Sequence, residues 1–484
     1  MSKWLTLAAV LCACQSKNTD KPAKPATGSG SGSIEVVATG SGSAKDPWVT
    51  VDAAPVTPES KRKAAEAAVS RVESIEPKLA KLRELPLKKE VPAAYQTTDD
   101  FRAFLKRDID KELPPKKSKD MGDALLHIGL LDKPVDLADT LIKTMVTQAA
   151  AYYDPAQKKF FVVMAPDNEM LLDTMSAHEL THALQDQHFD LAKYLPSGLD
   201  DDQTNARHFV VEGDATFAML VYTSASGGSA SKETTNLLMN LVKTQVEAMA
   251  AMDISAFADQ MKQQANAFGQ MDDDMRKSME SIGELPLAII GPLIDSYMKG
   301  AVLCMAAYEH GGWKGVDDLY KNPPESTEQV LHPSTKMYPT REHPRAITLP
   351  KMEGTEVETN VMGELQWSNY FQVWKLKVPD AAPGWGGDKF SVTRDKDGHL
   401  LGVLVSAWDS EADAKQFVDA YVQALAARFP GAKGDALKDG LPRPDFGKVF
   451  VRQVGDRVYI VDGAADVKVL DRVVKDAKVA PAKK

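Results

Sequence analysis

Basic residues are not in excess in this chain, and that absence limits the classes of partner that the protein is expected to bind. Lysine and arginine total 58 against 68 aspartates and glutamates, giving a formal net charge of −10. Binding a polyanion needs a basic face, so this balance predicts no nucleic-acid partner. Aromatic residues are also few, at 7%, while 43% of residues are hydrophobic and 26% are charged. This composition is that of a globular protein, and 484 residues are enough for two or three domains.

A long apolar stretch is lacking at the start of the chain as well. Lys3 precedes an apolar run at residues 4–13, far shorter than the roughly 20 residues that span a bilayer, which is typical of a signal peptide. The run ends in LCAC at residues 11–14, which resembles the lipobox of bacterial lipoproteins. We therefore expect residues 1–13 to be a lipoprotein signal peptide and Cys14 to carry lipid that anchors the protein to a membrane of the cell envelope. A plain secretory signal is the alternative.

Cysteine is rare, with three residues in the whole chain. Cys12 would leave with the signal peptide and Cys14 would be used by the lipid, so Cys304 would remain as the single thiol. No disulfide within one mature chain is then expected. Cys304 lies in the apolar run AVLCMAAY, where a buried, unreactive thiol is more common than a nucleophile.

The rest of the chain divides into segments of different composition. Residues 14–60 are rich in lysine, proline, glycine and serine and predict a disordered tether. Helical periodicity dominates residues 61–348 and is interrupted by a predicted hairpin around Asp154-Pro155. Residues 349–479 predict a separate C-terminal α+β domain, and residues 480–484 a tail. The expected fold class is α+β, with a mainly helical first domain that carries a small edge sheet.

One stretch, AHELTHALQDQHFDL, carries a recognisable chemical pattern. It contains H-E-x-x-H at His178, Glu179 and His182. Residues four apart lie on one helix face, so both imidazoles can bind one ion while the carboxylate lies beside the ion without binding it. This arrangement is typical of a zinc site that activates water. We interpret the two histidines as zinc ligands and Glu179 as a general base; a helix with two surface histidines is the alternative.

A catalytic zinc site needs a third protein ligand, and the sequence offers two. His188 lies six residues after His182, but Gln185 stands where a glycine would let the chain turn back, so a continuous helix carries His188 about 9 Å further along its axis. Glu212 interrupts HFVVEGDATFAML, a helix apolar enough to be buried, where an ionised carboxylate needs a cation. We prefer Glu212, with an ion pair to Arg207 as the alternative.

HELTHA followed by a glutamate on a later helix resembles the gluzincins, the thermolysin-like zinc metallopeptidases. The resemblance implies a zincin-like fold, Zn²⁺ held by His178, His182 and Glu212, and a peptide or protein substrate. It also implies that AYYDPAQKKFFVVM lies where these enzymes have their substrate-binding edge strand. Thr216 stands where thermolysin has an aspartate, so Asp214, a candidate for orienting a histidine ligand, departs from the family pattern.

A second resemblance, over roughly residues 80–425, is closer. It is to a group of bacterial secreted metallopeptidases and rests on AHELTHALQDQHFDL, VEGDA, PPESTEQVLHP and GWGGD. The first two segments carry the chemistry, and the last two mark relatives without implying a mechanism. Gly213, in VEGDA, removes a side chain beside Glu212 and predicts a close approach of this helix to the HExxH helix.

Peptide hydrolysis also needs a donor for the oxyanion besides the metal. The candidates are Tyr152, Tyr153, His208, His310, His332 and His343. We predict His332, because the polar loop that contains it could close over a cleft. The strand at residues 159–164 could pair with an extended peptide, or be an ordinary strand of a sheet.

Together these features predict an exported, lipid-anchored zinc metallopeptidase. One alternative is a catalytically silent lipoprotein that keeps the metal for structure and binds a partner through its C-terminal domain. Another is a zinc amidase that acts on a non-peptide amide. The sequence gives no oligomeric state.

Overall fold

The computed structural model describes residues 58–148, 151–163, 169–225, 232–252 and 285–481. The predicted signal peptide, Cys14, nearly all of the predicted tether and the last three residues lie outside these ranges.

The first part of the chain is mainly helical, as its periodicity predicts. Its helices are α1 (Pro58–Leu82), α2 (Thr98–Glu112), α3 (Pro115–Ile128), α4 (Leu137–Gln148), α5 (Glu169–Phe189), α6 (Leu191–Tyr194), α7 (Asp201–Ser224), α8 (Lys232–Ala250), α9 (Leu287–Gly311), α10 (Trp313–Lys321) and α11 (Thr327–Leu331), followed by a π-helical turn at Pro333–Met337.

A three-stranded sheet lies beside these helices. Its strands are β1 (Ala93–Tyr95), β2 (Ala151–Asp154) and β3 (Lys159–Val162), in the order β1-β3-β2. The predicted hairpin is confirmed, because β2 and β3 pair antiparallel and Asp154 accepts the N–H of Ala156 in the turn. Of the two alternatives for residues 159–164, the structure favours an ordinary strand of a sheet, since β1 pairs in parallel with the other side of β3. A strand of three residues leaves too short a pattern to be recognised.

The core of the helical part is built on α7, which packs against both α5 and α9. A Cβ placed on Gly213 would lie 2.1 Å from the carbonyl carbon of Gly300, so α7 and α9 touch backbone to backbone. Gly213 thus serves a close approach to α9, not to α5 as we predicted. Cys304 of α9 is fully buried, as predicted, and burial raises the pKa of its thiol.

By length and composition, α9 is the one described helix that could cross a membrane. Within the fold, 83% of its apolar window is buried.

The C-terminal part is an antiparallel sheet with helices on both faces. The remaining elements are β4 (Ile347–Thr348), β5 (Thr355–Asn360), α12 (Gly363–Val373), β6 (Trp385–Arg394), β7 (Leu400–Trp408), α13 (Glu411–Arg428), β8 (Leu441–Pro442), β9 (Lys448–Val454), β10 (Arg457–Ala464), α14 (Lys468–Asp476) and β11 (Lys478–Val479). The main sheet has the order β5-β6-β7-β10-β9-β8. Its alternating side chains pack on α12 and α13 through one face and on α14 through the other. The predicted α+β class is therefore confirmed.

The helical part docks on this sheet through the end of α3. His127 Nε2 lies 3.0 Å from the carbonyl oxygen of Asp462 in β10. Arg428 and Arg443 both donate hydrogen bonds to the carbonyl oxygen of His127. Two guanidinium groups thus satisfy the carbonyl end of a helix, which is the end that favours positive charge.

Candidate metal centre

The candidate centre lies between α5 and α7, deep in the helical part. His178, Glu179 and His182 are on α5, and Glu212 is on α7. Their exposed fractions are 3%, 0%, 1% and 1%. Four titratable side chains are therefore withdrawn from water at one place, which is costly unless they neutralise one another or hold an ion.

Three of these side chains point one atom each at a common centre. Nε2 of His178 and Nε2 of His182 are 3.2 Å apart. Glu212 Oε2 lies 3.2 Å from the first nitrogen and 3.5 Å from the second. Ligands bound at about 2.0–2.2 Å to one tetrahedral ion are separated by about 3.3–3.6 Å. The three atoms thus form a triangle of the size of one face of a zinc coordination tetrahedron.

Hydrogen bonds alone do not explain this triangle. Each ring nitrogen can direct at most one hydrogen, in the plane of its ring, so it cannot serve two edges of the triangle at once. Moreover, Glu212 Oε1 is buried and has no hydrogen-bond partner among the described residues. A cation at the centre would satisfy all three atoms. Glu179 lies close to the same place. One ligand atom each of His178, Glu179 and His182 lie within 4.8 Å of one another, so these three residues also form a group that could hold a metal ion.

The charges of the cluster fit a cation. Burial acts to raise the pKa of Glu212, but attraction by the two histidines outweighs it and lowers that pKa to about 2. Burial lowers the pKa of His178, whereas at His182 the attraction of Glu212 outweighs burial and raises the pKa to about 9. The metal-free centre therefore holds an ionised carboxylate and a proton on His182, which a metal ion would displace.

Glu179 is held at the edge of this centre by the small sheet. Its Oε2 accepts the backbone N–H of Tyr153 at 2.9 Å. Tyr153 lies in β2, the strand next to α5, so a hydrogen bond from the strand backbone orients the carboxylate.

The two alternatives for the third ligand are placed differently. α5 continues to Phe189, and His188 Nε2 lies 2.7 Å from the carbonyl oxygen of Pro86, away from the triangle. Arg207 donates to the carbonyl oxygen of Tyr194 and forms no ion pair with Glu212 in the described part of the chain. The structure therefore brings Glu212, not His188, to the two histidines.

His332 is not brought to the centre, and we do not retain it as an oxyanion donor. Its Nε2 lies 2.7 Å from Glu364 Oε1, at the start of α12. The polar loop that we expected to close over a cleft is instead the short helix α11, in which Thr327 donates to Asp202 at the start of α7. Glu212 lies ten residues further along α7, about 15 Å.

The other predicted donors also have partners, and most of these lie away from the triangle. The hydroxyl of Tyr152 donates to Gln96, that of Tyr153 to Asp186, and the imidazoles of His310 and His343 contact the Ala306 carbonyl and Glu325. His208, one turn before Glu212 on α7, is buried beside the centre.

The contacts of two residues near the centre escaped the sequence analysis. The ring of Tyr297 in α9 is centred 5.6 Å from that of His178, a contact across more than 100 residues for which no local pattern exists. Gln185 Oε1 lies 2.9 Å from His182 Nδ1. Its spacing of three residues on the same helix could have revealed this contact.

Among the described residues, Gln185 is the side chain that links Asp214 to the centre by hydrogen bonds. The Gln185 Nε2 donates to Asp214 Oδ2 at 3.1 Å. The same carboxylate accepts Nε of Arg83 at 2.6 Å and the hydroxyl of Tyr320 at 2.9 Å. The predicted orienting role of Asp214 is therefore indirect, through one intervening side chain.

Comparison with known proteins bears on the C-terminal part alone. Residues 349–474 match a family described as a domain of unknown function, DUF8575. The match covers about a quarter of the chain and none of the helices that form the candidate metal centre. No curated protein and no solved structure was found to match.

Proposed function

We propose that this protein is an exported, lipid-anchored zinc metallopeptidase of gluzincin type. His178, His182 and Glu212 are the zinc ligands, and Glu179 is the general base. The observation that carries the proposal is the triangle of their ligand atoms, with edges of 3.2, 3.2 and 3.5 Å. Two imidazoles and one carboxylate are a zinc ligand set that leaves the fourth position open for water or substrate, as in catalytic sites.

The residues of the centre divide the work of hydrolysis between them. A bound zinc ion supplies a water of lowered pKa and polarises the substrate carbonyl. Glu179 accepts the proton of the attacking water and delivers it to the leaving amine. The Tyr153 N–H holds Glu179 Oε2 and so keeps the carboxylate in position for both transfers.

Burial of the centre favours a second candidate function. The four side chains are at most 3% exposed, and closed sites are typical of structural zinc. In this second candidate the metal stabilises a lipoprotein that binds a partner and hydrolyses nothing. The location in the cell envelope, which rests on LCAC at residues 11–14, is common to both candidates.

Metal analysis of the purified full chain tests the ligand set. We expect about one zinc ion per chain in the parent and in His188→Ala, and its loss in Glu212→Ala. Both variants remove one polar side chain near α5, so His188→Ala is the matched control. Zinc lost in His188→Ala and retained in Glu212→Ala would contradict the assignment.

Cleavage of a mixture of quenched fluorescent peptides then separates the two candidates. In the zinc-loaded Glu179→Gln variant we expect hydrolysis to fall about 10²–10⁴-fold, because the general base is lost, while the zinc content stays unchanged. Zinc-loaded parent protein that cleaves no peptide would favour the binding protein, whereas a Glu179→Gln variant as active as the parent would contradict the role of Glu179 as general base.

A further inference from the structure

We propose that Gln185 is a positioning residue that holds the proton of His182 on Nδ1, and that Asp214 holds the side-chain amide of Gln185 in the orientation that this requires. The inference rests on the proposed function in one respect, namely that His182 binds the metal through Nε2. It assigns a task to two side chains that do not touch the metal position themselves.

The orientation of the Gln185 amide follows from its neighbours. Its Nε2 lies 3.0 Å from the carbonyl oxygen of Val211 and 3.1 Å from Asp214 Oδ2. A carbonyl oxygen and an ionised carboxylate can only accept, so the NH₂ group must face them. The amide oxygen is then left facing His182 Nδ1 at 2.9 Å.

That orientation assigns the proton on the imidazole. An amide oxygen only accepts hydrogen bonds, so His182 Nδ1 must carry hydrogen. In the neutral ring the lone pair is then on Nε2, the atom that faces His178 Nε2 at 3.2 Å. This is the tautomer that a metal ion at the centre of the triangle requires.

Buried partners prevent the amide from turning over. Arg83 donates to both oxygens of Asp214, through Nε at 2.6 Å and Nη2 at 3.2 Å, and Tyr320 donates to Oδ2. The side chains of Arg83, Asp214 and Gln185 are fully buried. A flipped Gln185 would set its NH₂ group against His182 Nδ1–H and leave Asp214 facing an amide oxygen, at the cost of unpaired buried groups.

Substitutions at Gln185 separate positioning from mere packing. Methionine has a similar size but no acceptor for His182 Nδ1–H, so we expect Gln185→Met to weaken zinc binding about 10–100-fold. Glutamate keeps the acceptor but sets a second carboxylate beside Asp214. Gln185→Glu should therefore destabilise the metal-free fold more than methionine does, yet bind zinc more tightly than Gln185→Met.

Gln187→Met is the matched control. Gln187 lies on the same helix, and its side chain hydrogen-bonds the backbone of Lys88 and Lys89, away from His182 and Asp214. We expect this variant to bind zinc like the parent. The measurements are zinc competition against a chromophoric chelator at fixed pH, and thermal unfolding of the metal-free full chains.

A second readout does not depend on metal binding. In metal-free protein with ¹⁵N-labelled histidine, we expect an Nδ1–H signal from His182 with the chemical shift of a hydrogen-bonded group. Loss of the signal in His182→Gln assigns it to this residue. In Gln185→Met we expect the chemical shift of the signal to change. A parent without that signal, or a Gln185→Met variant that keeps it unchanged, would overturn the inference. So would equal loss of zinc affinity in the methionine and glutamate variants. Failure of the parent itself to bind zinc would contradict the proposed function. The NMR result would then decide whether Gln185 holds the proton of His182 on Nδ1.

Discussion

Two buried carboxylates, Glu212 in the helical part and Asp462 in the C-terminal sheet, have different cationic partners. Asp462 is 3% exposed and pairs with the guanidinium groups of Arg428 and Arg443. Glu212 is 1% exposed and faces two imidazoles, with one oxygen left without a partner among the described residues. Guanidinium groups are always charged, whereas imidazoles lose their charge readily. Asp462 is therefore satisfied by the protein itself, and Glu212 is suited to a metal ion.

The pKa of each carboxyl group agrees with this difference in partners. At Asp462, burial acts to raise the pKa, but Arg428 and Arg443 outweigh it and lower the pKa below its ordinary value. At Glu212 the lowering depends on histidines whose own protons a metal would displace. Replacing the two carboxylates in turn should therefore affect different properties. The change at Asp462 should lower the stability of the fold, and the change at Glu212 should remove its response to zinc.

The largest effect should follow from Asp462→Asn. The change leaves Arg428 without its carboxylate and Arg443 with only the exposed Asp445, and it weakens the docking of α3, so we expect the free energy of unfolding to fall by about 3–5 kcal/mol. Urea unfolding measures this, and the zinc content should be unchanged. Asp445→Asn is the control, because Asp445 also pairs with Arg443 but its side chain is 59% exposed, and such pairs contribute about 0–1 kcal/mol. Equal losses in the two variants would contradict the structural role given to Asp462.

The next effect should be the loss of zinc stabilisation in Glu212→Gln. A ligand that binds only the folded state at about 100 times its Kd stabilises that state by about 2.7 kcal/mol. We expect the parent and Asp445→Asn to gain this amount when zinc is added, and Glu212→Gln to gain none, because an amide is a poor zinc ligand. Thermal unfolding with and without zinc is the measurement. A Glu212→Gln variant stabilised as much as the parent would remove Glu212 from the ligand set.

The sequence predicted those parts of both regions whose signals are local. The hairpin at Asp154 and the helix that presents His178 and His182 follow from periodicity and turn residues. Glu212 could be chosen because a charge inside an apolar helix is conspicuous.

Partners distant in the chain could not be predicted in the same way. Arg83 and Asp214 are 131 residues apart, and neither neighbourhood indicates the other. The short helix before His332 was also missed, because a polar segment was taken for a loop. In the structure Ser326 accepts the N–H of Gln329 and so caps a short helix at this place. Tertiary packing, which leaves no period in the sequence, decides the first case, whereas the cap at Ser326 is a local signal that the sequence analysis missed.

The comparison also predicts how the helical part holds Glu212 in place. α7 and α9 touch at Gly213 and Gly300, and a Cβ on Gly300 would lie 2.2 Å from the carbonyl oxygen of Phe209. We expect Gly300→Ala to separate the two helices and to lower the free energy of unfolding by about 1–3 kcal/mol. Gly311→Ala, on the same helix, is the control because its Cβ would meet no described atom within 4 Å. Urea unfolding of the two variants should differ; equal stability would show that the contact can relax freely.

The smallest effect concerns a third kind of buried carboxylate, one that accepts a backbone donor. Glu76 of α1 is 6% exposed, and its Oε1 accepts the N–H of Val91 at 3.2 Å. Burial raises the pKa of Glu76 from its ordinary 4.5 to about 7. The folded state therefore binds more protons than the unfolded state between these values. The stability contributed by this group is complete below pH 4.5 and is lost as the pH rises through 7.

Glu76→Gln should abolish that loss, because glutamine keeps the acceptor for Val91 N–H but cannot ionise. Relative to the parent, we expect the variant to gain on the order of 1 kcal/mol in unfolding free energy between pH 5 and pH 8, since one pKa unit corresponds to about 1.4 kcal/mol. Glu66→Gln, an exposed change on the same helix, is the control. Urea unfolding at both pH values measures the difference. Equal unfolding free energies of the variant and the parent at both pH values would mean that a cation already compensates the charge of Glu76, as at Asp462.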